Sequence, residues 1–275
     1  MLDQPKISIV TISYNQCRFL ERAIRSVLDQ DYPSVEYIVV DPGSTDGSRD
    51  IIERYRSRIA KVILEPDEGP VDGLNKGFAA ATGDICGYIN ADDEFLPGTF
   101  SKVAKEFAAA PQTDVVYGHG YKVDADGGVL RRVRSAPFSL WRYVYGAGVV
   151  VQQSTFFRRS AFAAAGGFNP ANRACWDGEL LVKMAQSGSR FKRVEDYWSL
   201  FRIHDQSISG TGRLEERYFR ESARIFQNVI GRPPGARFDG VRIILAKLAR
   251  WGADPLTPCL RLVERLMGPP SLGRP

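Results

Sequence analysis

Over roughly its first 113 residues the chain alternates short apolar runs with amphipathic stretches, and this restricts its fold more than any other feature. Ile7 to Ser13 has the length and apolar content of a strand. Arg18 to Gln30 follows, with Phe19, Leu20, Ala23, Ile24 and Val27 at helical spacing on one face. Val35 to Val40 is a second strand, and "GSTDGSRDIIERY" opens the next helix, with Ser44, Thr45 and Asp46 as capping candidates. A third strand near Val62 to Leu64 leads into a helix over about Val71 to Ala81, stopped by Gly83. Ile85 to Ile89 is the fourth strand. Strand and helix taking turns across short connections specify an α/β fold, a mostly parallel sheet flanked by helices.

Chemistry in such a sheet gathers at the carboxyl ends of the strands. The polar segments fall there: "SYN", "DPGSTDGS", "EPDEGP" and "NADD" follow the four strands in turn. Asp92 and Asp93 are adjacent carboxylates after a buried strand, so their repulsion calls for something positive beside them. A divalent cation shared with a diphosphate would supply it. The simpler alternative is that either residue caps a helix starting near Pro97. Two rival uses of the same alternation are excluded. "TISYNQCRFL" has no glycine where a dinucleotide fingerprint needs several, and no G-x-x-x-x-G-K-[ST] occurs.

After about Asp114 the alternation stops. "DVVYGHGYKVDADGGVLRRVR" reads as strands around a turn at Asp126-Gly127-Gly128, and Trp176 to Ser187 as a helix. Two helical pieces are expected beyond Gly210, split by "GRPPGAR". In the last, Val241, Ile244, Leu245, Leu248 and Trp251 share a face, with Arg242, Lys247 and Arg250 opposite. That face is expected to pack on the domain, the alternative being a helix lying in a membrane interface.

The bulk properties agree with one large domain bearing an appendage. The chain has 275 residues, 44% hydrophobic and 25% charged. The net charge of +5 is mild, with much of the excess base after Arg213; a solvated face is expected, although anionic substrates or an anionic membrane surface would also suit it. Cys17, Cys86, Cys175 and Cys259 show no paired spacing and read as reduced thiols. No basic leader with an apolar stretch is visible, and no run approaches the roughly 20 apolar residues of a membrane span. A cytoplasmic location is therefore expected, with no nucleic acid as partner.

Five segments in order, "VTISYNQCRFLERAIRSVLDQDYPSVEYIVVDPGSTDGS", "EPDEGPVDGLNKGFAAATGD", "YINADDEFLPG", "QQSTFFRRSAFAAAGGF" and "WDGELLVKMAQSG", resemble the family 2 glycosyltransferases. These are inverting enzymes of the A-type fold that use nucleotide-diphosphate sugars. The likeness runs from Ile7 to about Ser209, and the variant with "DPGSTDGS" and "NADD" is similar to enzymes that build bacterial surface polysaccharides. It implies a catalytic domain over residues 1–212, with a nucleotide-sugar half to about 113 and an acceptor half beyond, followed by a helical extension over 213–275.

The resemblance also implies roles. Thr11, Ser13 and Tyr14 would border the nucleotide, and Asp41 would accept a hydrogen bond from the base, favouring uracil or thymine. Asp72 would lie near base and ribose, with Lys76 approaching the diphosphate or simply solvated. Asn90-Ala91-Asp92 occupies the family's Asp-x-Asp site, Asp92 being the expected ligand for Mn2+ or Mg2+, with His204 near the metal. Gln152, Gln153 and Ser154 would line the acceptor side, as would Trp176.

Asp177, opening a helix, would take the proton from an acceptor hydroxyl of a glycan or lipid-linked glycan, with Glu179 as the fallback. Partial burial beside Trp176 would raise its pKa usefully. Pro42 and Asn90 each replace an acid of the family's usual pattern, which predicts weaker metal binding that leans on the donor's phosphates. A nucleotidyltransferase, or a protein that binds nucleotide sugars without turnover, are the alternative readings. Peripheral contact with the inner membrane would suit a lipid-linked acceptor.

Overall fold

Strand β1 (Ile7–Ile12) is buried on both faces, as its unbroken apolar run requires of a strand inside a parallel sheet. The computed structural model that places it describes residues 4–207, 211–212 and 214–268. With β2 (Val35–Val40), β3 (Lys61–Ile63) and β4 (Ile85–Asn90) it makes a parallel unit in the order β3-β2-β1-β4. The connections are α1 (Cys17–Leu28), α2 (Ser48–Arg54) and α3 (Pro70–Ala80). Ile7 and Ile9 face Leu20 and Ile24 of α1 and Ile51 and Ile52 of α2. Val10 faces the opposite layer, with Val71, Leu74 and Phe78 of α3. Each such buried aliphatic contributes roughly 1.5–3 kcal/mol.

The second half adds β5 (Glu94–Phe95), α4 (Thr99–Ala109), β6 (Val115–Val123), β7 (Val129–Val133) and α5 (Leu140–Val144). Then come β8 (Thr155–Arg158), α6 (Arg159–Ala164), α7 (Trp176–Gln186) and β9 (Phe191–Arg202). The sheet continues β4-β8-β6-β9-β5, with β7 on β6, so the nine described strands form one mixed sheet. β8 runs antiparallel to both β4 and β6, while β6 and β9 are parallel. The sheet is therefore parallel in its first half and mixed beyond β4.

Two local expectations are corrected. α3 ends at Ala80, and Gly83 does not cap it; a Cβ on Gly83 would stand 2.6 Å from Ser8 Oγ, so glycine is there for close approach to β1. α4 begins at Thr99 with Gly98 preceding it and β5 intervening, so neither Asp92 nor Asp93 caps it.

Among the described residues of the carboxyl-terminal region from Glu215 on there are three helices, α8 (Glu215–Ile230), α9 (Ala236–Ala253) and α10 (Leu256–Met267), where two pieces were expected. Pro255 interrupts the pattern, and a proline is tolerated only at a helix start. Ser209 and Arg213, which bound the likeness and the basic excess in sequence, lie outside the described residues. α9 docks through Ala246, packed with Tyr145, Ala147 and Phe226, while Arg242 donates to the Tyr145 hydroxyl (2.9 Å). The face expected to pack, Val241, Ile244, Leu245, Leu248 and Trp251, is instead turned to solvent. Ala246 lets the helix approach closely, and Arg242 reaches Tyr145 from that side. Among the described residues no helix is long and apolar enough to cross a membrane.

Candidate active site

The loops after β1 and β2 are hydrogen-bonded to each other. Asn15 adopts a left-handed conformation (φ 52°) that turns the chain toward α1, and its Oδ1 accepts from Thr45 N (2.9 Å). Asn15 N in turn donates to Ser44 Oγ (2.8 Å). Of the capping candidates, Asp46 serves two helices, accepting Cys17 N at the start of α1 (2.9 Å) and Ser48 N at the start of α2 (3.0 Å). Burial alone would raise its carboxyl; the Ser48 hydroxyl and these amides outweigh it and bring it to about 2.

This braced edge forms one wall of a cleft of about 890 Å³. At its first end lie Ser13, Gln16, Pro42, Gly43 and Asp67, with Tyr14 on the rim, 62% exposed. Ser13 Oγ and Gln16 Oε1 are buried and lack hydrogen-bond partners among the described residues. Asp41, directly before Pro42, is buried; its Oδ1 accepts from Gly43 N, Ser44 N and Arg49 Nε at 3.1, 2.8 and 3.1 Å. Its Oδ2 has no partner among the described residues. One oxygen is thus saturated and the other available. Asp41 itself is not part of the cleft lining; two buried polar atoms left open in the lining residues, Ser13 Oγ and Gln16 Oε1, point to a polar ligand.

Asp67 was not singled out from sequence, although "EPDEGP" placed it on the right edge. Burial pushes its carboxyl above the ordinary range, and its Oδ1 accepts Gly69 N (2.8 Å). Asp72 and Lys76 stand differently. They pair with each other at 2.8 Å on the outside of α3; Lys76 also donates to the Pro66 carbonyl, and neither lines the cleft. Thr11 sits below the edge, accepting the Tyr37 hydroxyl at 3.0 Å inside the sheet.

The tip of β4 forms the floor. Asn90, Ala91, Asp92 and Asp93 all line the cleft. Asp93 Oδ1 accepts the backbone N–H of Arg202 (2.8 Å), and its Oδ2 accepts Gln153 Nε2 (2.8 Å) and Asn90 Nδ2 (3.3 Å). Burial, then the charge of Asp92, pushes the Asp93 carboxyl well up. Asp92 points its Oδ2 at His204 Nε2 (3.1 Å). Arg202 lies beside the adjacent acids, but its guanidinium meets backbone carbonyls and Glu94 and neither of their carboxylates. Its buried guanidinium donates to the carbonyls of Asp92 (2.8 Å), Asp124 (3.0 Å) and Ala125 (3.1 Å) and pairs with Glu94. Sequence reading missed it because the partners are about 80 to 110 residues away along the chain.

His204 Nδ1 accepts Gln206 N (3.3 Å), which places the ring proton on Nε2, donated to Asp92. Asp92 and His204 would be the residues to hold a divalent cation here, which would supply positive charge beside a bound phosphate. Asp92 lines the cleft and the buried His204 contacts it, two ligands of suitable chemistry, and no group of three such ligands exists among the described residues. The residues therefore fit a cation whose remaining positions come from a bound phosphate or water.

At the other end are Tyr88, Gln152, Trp176 and Asp177. Asp177 opens α7, and burial raises its carboxyl, against the amide N–H groups of Gly178 and Asp177. The Tyr143 hydroxyl lies so close to Gly178 that a Cβ there would stand 2.7 Å away, which closes the space beneath the carboxylate. Gln152 donates to the Tyr88 carbonyl (3.0 Å), and Ser154 is buried, away from the cleft lining, between the His119 carbonyl and Ser199. Glu179 is committed elsewhere. Arg224 of α8 grips it at 2.8 and 2.7 Å, and Asn169 and Asn172 donate to it as well. Burial would raise that carboxyl, but these donors hold it below its ordinary value.

The strand tips of the parallel α/β unit thus bring together open polar atoms, a carboxylate–imidazole pair and a helix-borne acid. The model of "Glycosyl transferase family 2" matches residues 8–166, and the chain belongs to that family. It is a glycosyltransferase, which sets aside the nucleotidyltransferase and non-catalytic readings. A putative teichuronic acid biosynthesis glycosyltransferase, TuaG, of Bacillus subtilis is 34% identical over 142 residues, 50% of this chain and 55% of that protein. The fold is shared with S. aureus TarS 1–349, solved with UDP-GlcNAc (TM-score 0.66, 18% identity, 94% of this chain and 77% of that one). It is shared equally with the mannosyltransferase PcManGT of Pyrobaculum calidifontis, solved with GDP-Man and Mn2+ (TM-score 0.65, 20% identity, 98% and 77%).

Proposed function

We propose that this glycosyltransferase moves a sugar, with inversion, from a UDP- or dTDP-sugar to a hydroxyl of a glycan or lipid-linked glycan acceptor in bacterial surface polysaccharide synthesis. The observation that carries the reading is the one cleft joining an open polar end at Ser13, Gln16 and Asp67 to the raised carboxyl of Asp177, across Asp92, which His204 backs. Asp41 lies behind the lining residues Pro42 and Gly43 with one oxygen free; reached by a base, it would suit the single imide N–H of uracil or thymine, whereas guanine offers two adjacent N–H groups. The teichuronic acid relative supports the pathway class, and the UDP-GlcNAc and GDP-Man complexes support a nucleotide-sugar donor.

In this reading Asp177 accepts the proton of the attacking hydroxyl, and the hydroxyl oxygen bonds to the anomeric carbon as the nucleoside diphosphate leaves from the opposite face. Its raised pKa makes it a better base, and such a base contributes ~10²–10⁴-fold. Trp176 and Gln152 orient the acceptor ring, while Gln153 holds the floor through Asp93. Asp92 and His204 would hold Mn2+ or Mg2+, which when bound neutralises the diphosphate charge. Arg202 fixes the backbone beneath Asp92 so that the pair keeps its aim.

The test is nucleotide release from a panel of UDP-, dTDP- and GDP-sugars, with Mn2+ or Mg2+, by wild type and Asp177→Asn. Release confined to UDP- or dTDP-sugars and lost in the variant supports the reading. Release only from a GDP-sugar, or equal release by the variant, contradicts it.

A further inference from the structure

The unused surface with the most unusual composition is the outer face of the last two helices. On α9, Val241, Ile244, Leu245, Leu248 and Trp251 are each 51–59% exposed. At 100° per residue they fill one continuous arc, the side away from the docked Ala246. On α10, Leu256, Leu262 and Leu266 are 52, 59 and 78% exposed. Soluble surfaces scatter such residues singly, and eight on two consecutive helices mark a surface that is covered in use.

The charges say by what. Residues 236–267 contain three acids, Asp239, Asp254 and Glu264. All three acids are turned inward and neutralised: Asp239 by Arg232, Asp254 by Arg193, and Glu264 by Arg132. Lys247 is exposed at the border of the apolar arc, next to Trp251. The outer face of α9 thus offers aliphatic ends, an indole and the ammonium of Lys247, without a carboxylate in the arc. We infer that α9 and α10 form an interfacial docking element that lies in the headgroup layer of an anionic bilayer. Aliphatic side chains enter the acyl boundary, the indole sits at the headgroup level, and Lys247 meets lipid phosphates. The placement goes beyond the transferase reading and does not depend on it, because the surface lies outside the cleft.

Flotation of the full chain with vesicles tests the inference without any sugar donor. One set is phosphatidylcholine alone, the other equal parts phosphatidylcholine and phosphatidylglycerol. The chain should float with the anionic set, and raising salt should weaken this. Leu245→Glu with Leu248→Glu should lower the bound fraction at least ~10-fold with an unchanged thermal midpoint. Should that pair fail to fold, Ile244→Ser with Leu248→Ser serves the same purpose with a several-fold loss. Failure to float with anionic vesicles overturns the inference, as does flotation that the folded variants retain. So does a dimer by light scattering that the variants dissociate, since a second copy would then cover the face. Nucleotide release measured in parallel keeps this outcome separate from that of the catalytic reading.

Discussion

The backbone N–H of Arg202 closes on Asp93 Oδ1 at 2.8 Å while its own guanidinium reaches the Asp92 carbonyl at 2.8 Å, so one β9 residue grips both acids of the β4 tip. The guanidinium also serves Glu94 and two carbonyls of the β6–β7 turn and lies over the Phe19 ring. Arg202→Met keeps the volume but strands these acceptors and Glu94. The expected loss is ~3–5 kcal/mol in urea unfolding, because the remaining charge is left without its partner. A loss below about 1 kcal/mol would mean that water replaces the guanidinium freely.

Asp177 and Glu179 share the first turn of α7 and should separate in kinetics. Asp177→Asn should lower kcat ~10²–10⁴-fold with donor affinity kept, whereas Glu179→Gln should act on stability. Wild-type kcat/KM should fall on acidification with a midpoint above the ordinary Asp value of ~3.9, since burial raises the base and only its ionised form works. Equal kinetic losses in the two variants, or an acid limb at the ordinary value, would reverse the assignment.

The Glu179–Arg224 pair ties α7 to α8 and gives a pH signature of its own. The folded Glu179 carboxyl lies below its unfolded value, so its contribution is present above ~4.3 and fades as pH falls through the lower folded value. Arg224 is 38% exposed on its side chain, so solvent screening lowers the contribution to about 1–2 kcal/mol. Arg224→Met should therefore cost that amount near neutral pH and progressively less below pH ~4. A deficit independent of pH would assign the effect to packing.

Asp67 and Asp72 make a second contrast. Asp67 lines the cleft, and Asp72 faces Lys76 outside it. Asp67→Asn should raise the donor KM ~10–100-fold, the worth of one charged hydrogen bond, while Asp72→Asn should change it less than about threefold. Titration with UDP would show the same order, and the reverse order would restore the role first expected of Asp72.

The first half of the fold was legible because its strands are continuous apolar runs and its helices carry one clean stripe; each of β1 to β4 lies where its pattern put it. Asn90, Asp92 and Asp177 were legible as the polar residues closing a buried strand or opening a helix. The rest depended on distance. Arg202 ends a β9 whose burial is mixed along most of its length, and its partners lie on β4 and the β6–β7 turn. The capping alternative for Asp92 failed because the two-residue β5 is too short to leave a period. The exposed face of α9 could not be foreseen, since an apolar stripe looks alike whether it meets a core or a membrane.

Calorimetric titration with UDP, with and without Mn2+, on wild type and Asp92→Ala tests the central claim most directly. A nucleotide-diphosphate site centred on Asp92 and His204 predicts UDP binding that Mn2+ strengthens at least ~10-fold in wild type, with that gain abolished in Asp92→Ala. Equal binding with and without Mn2+ in both proteins would show that the β4 tip does not hold the diphosphate, and absence of binding throughout would contradict the donor site itself.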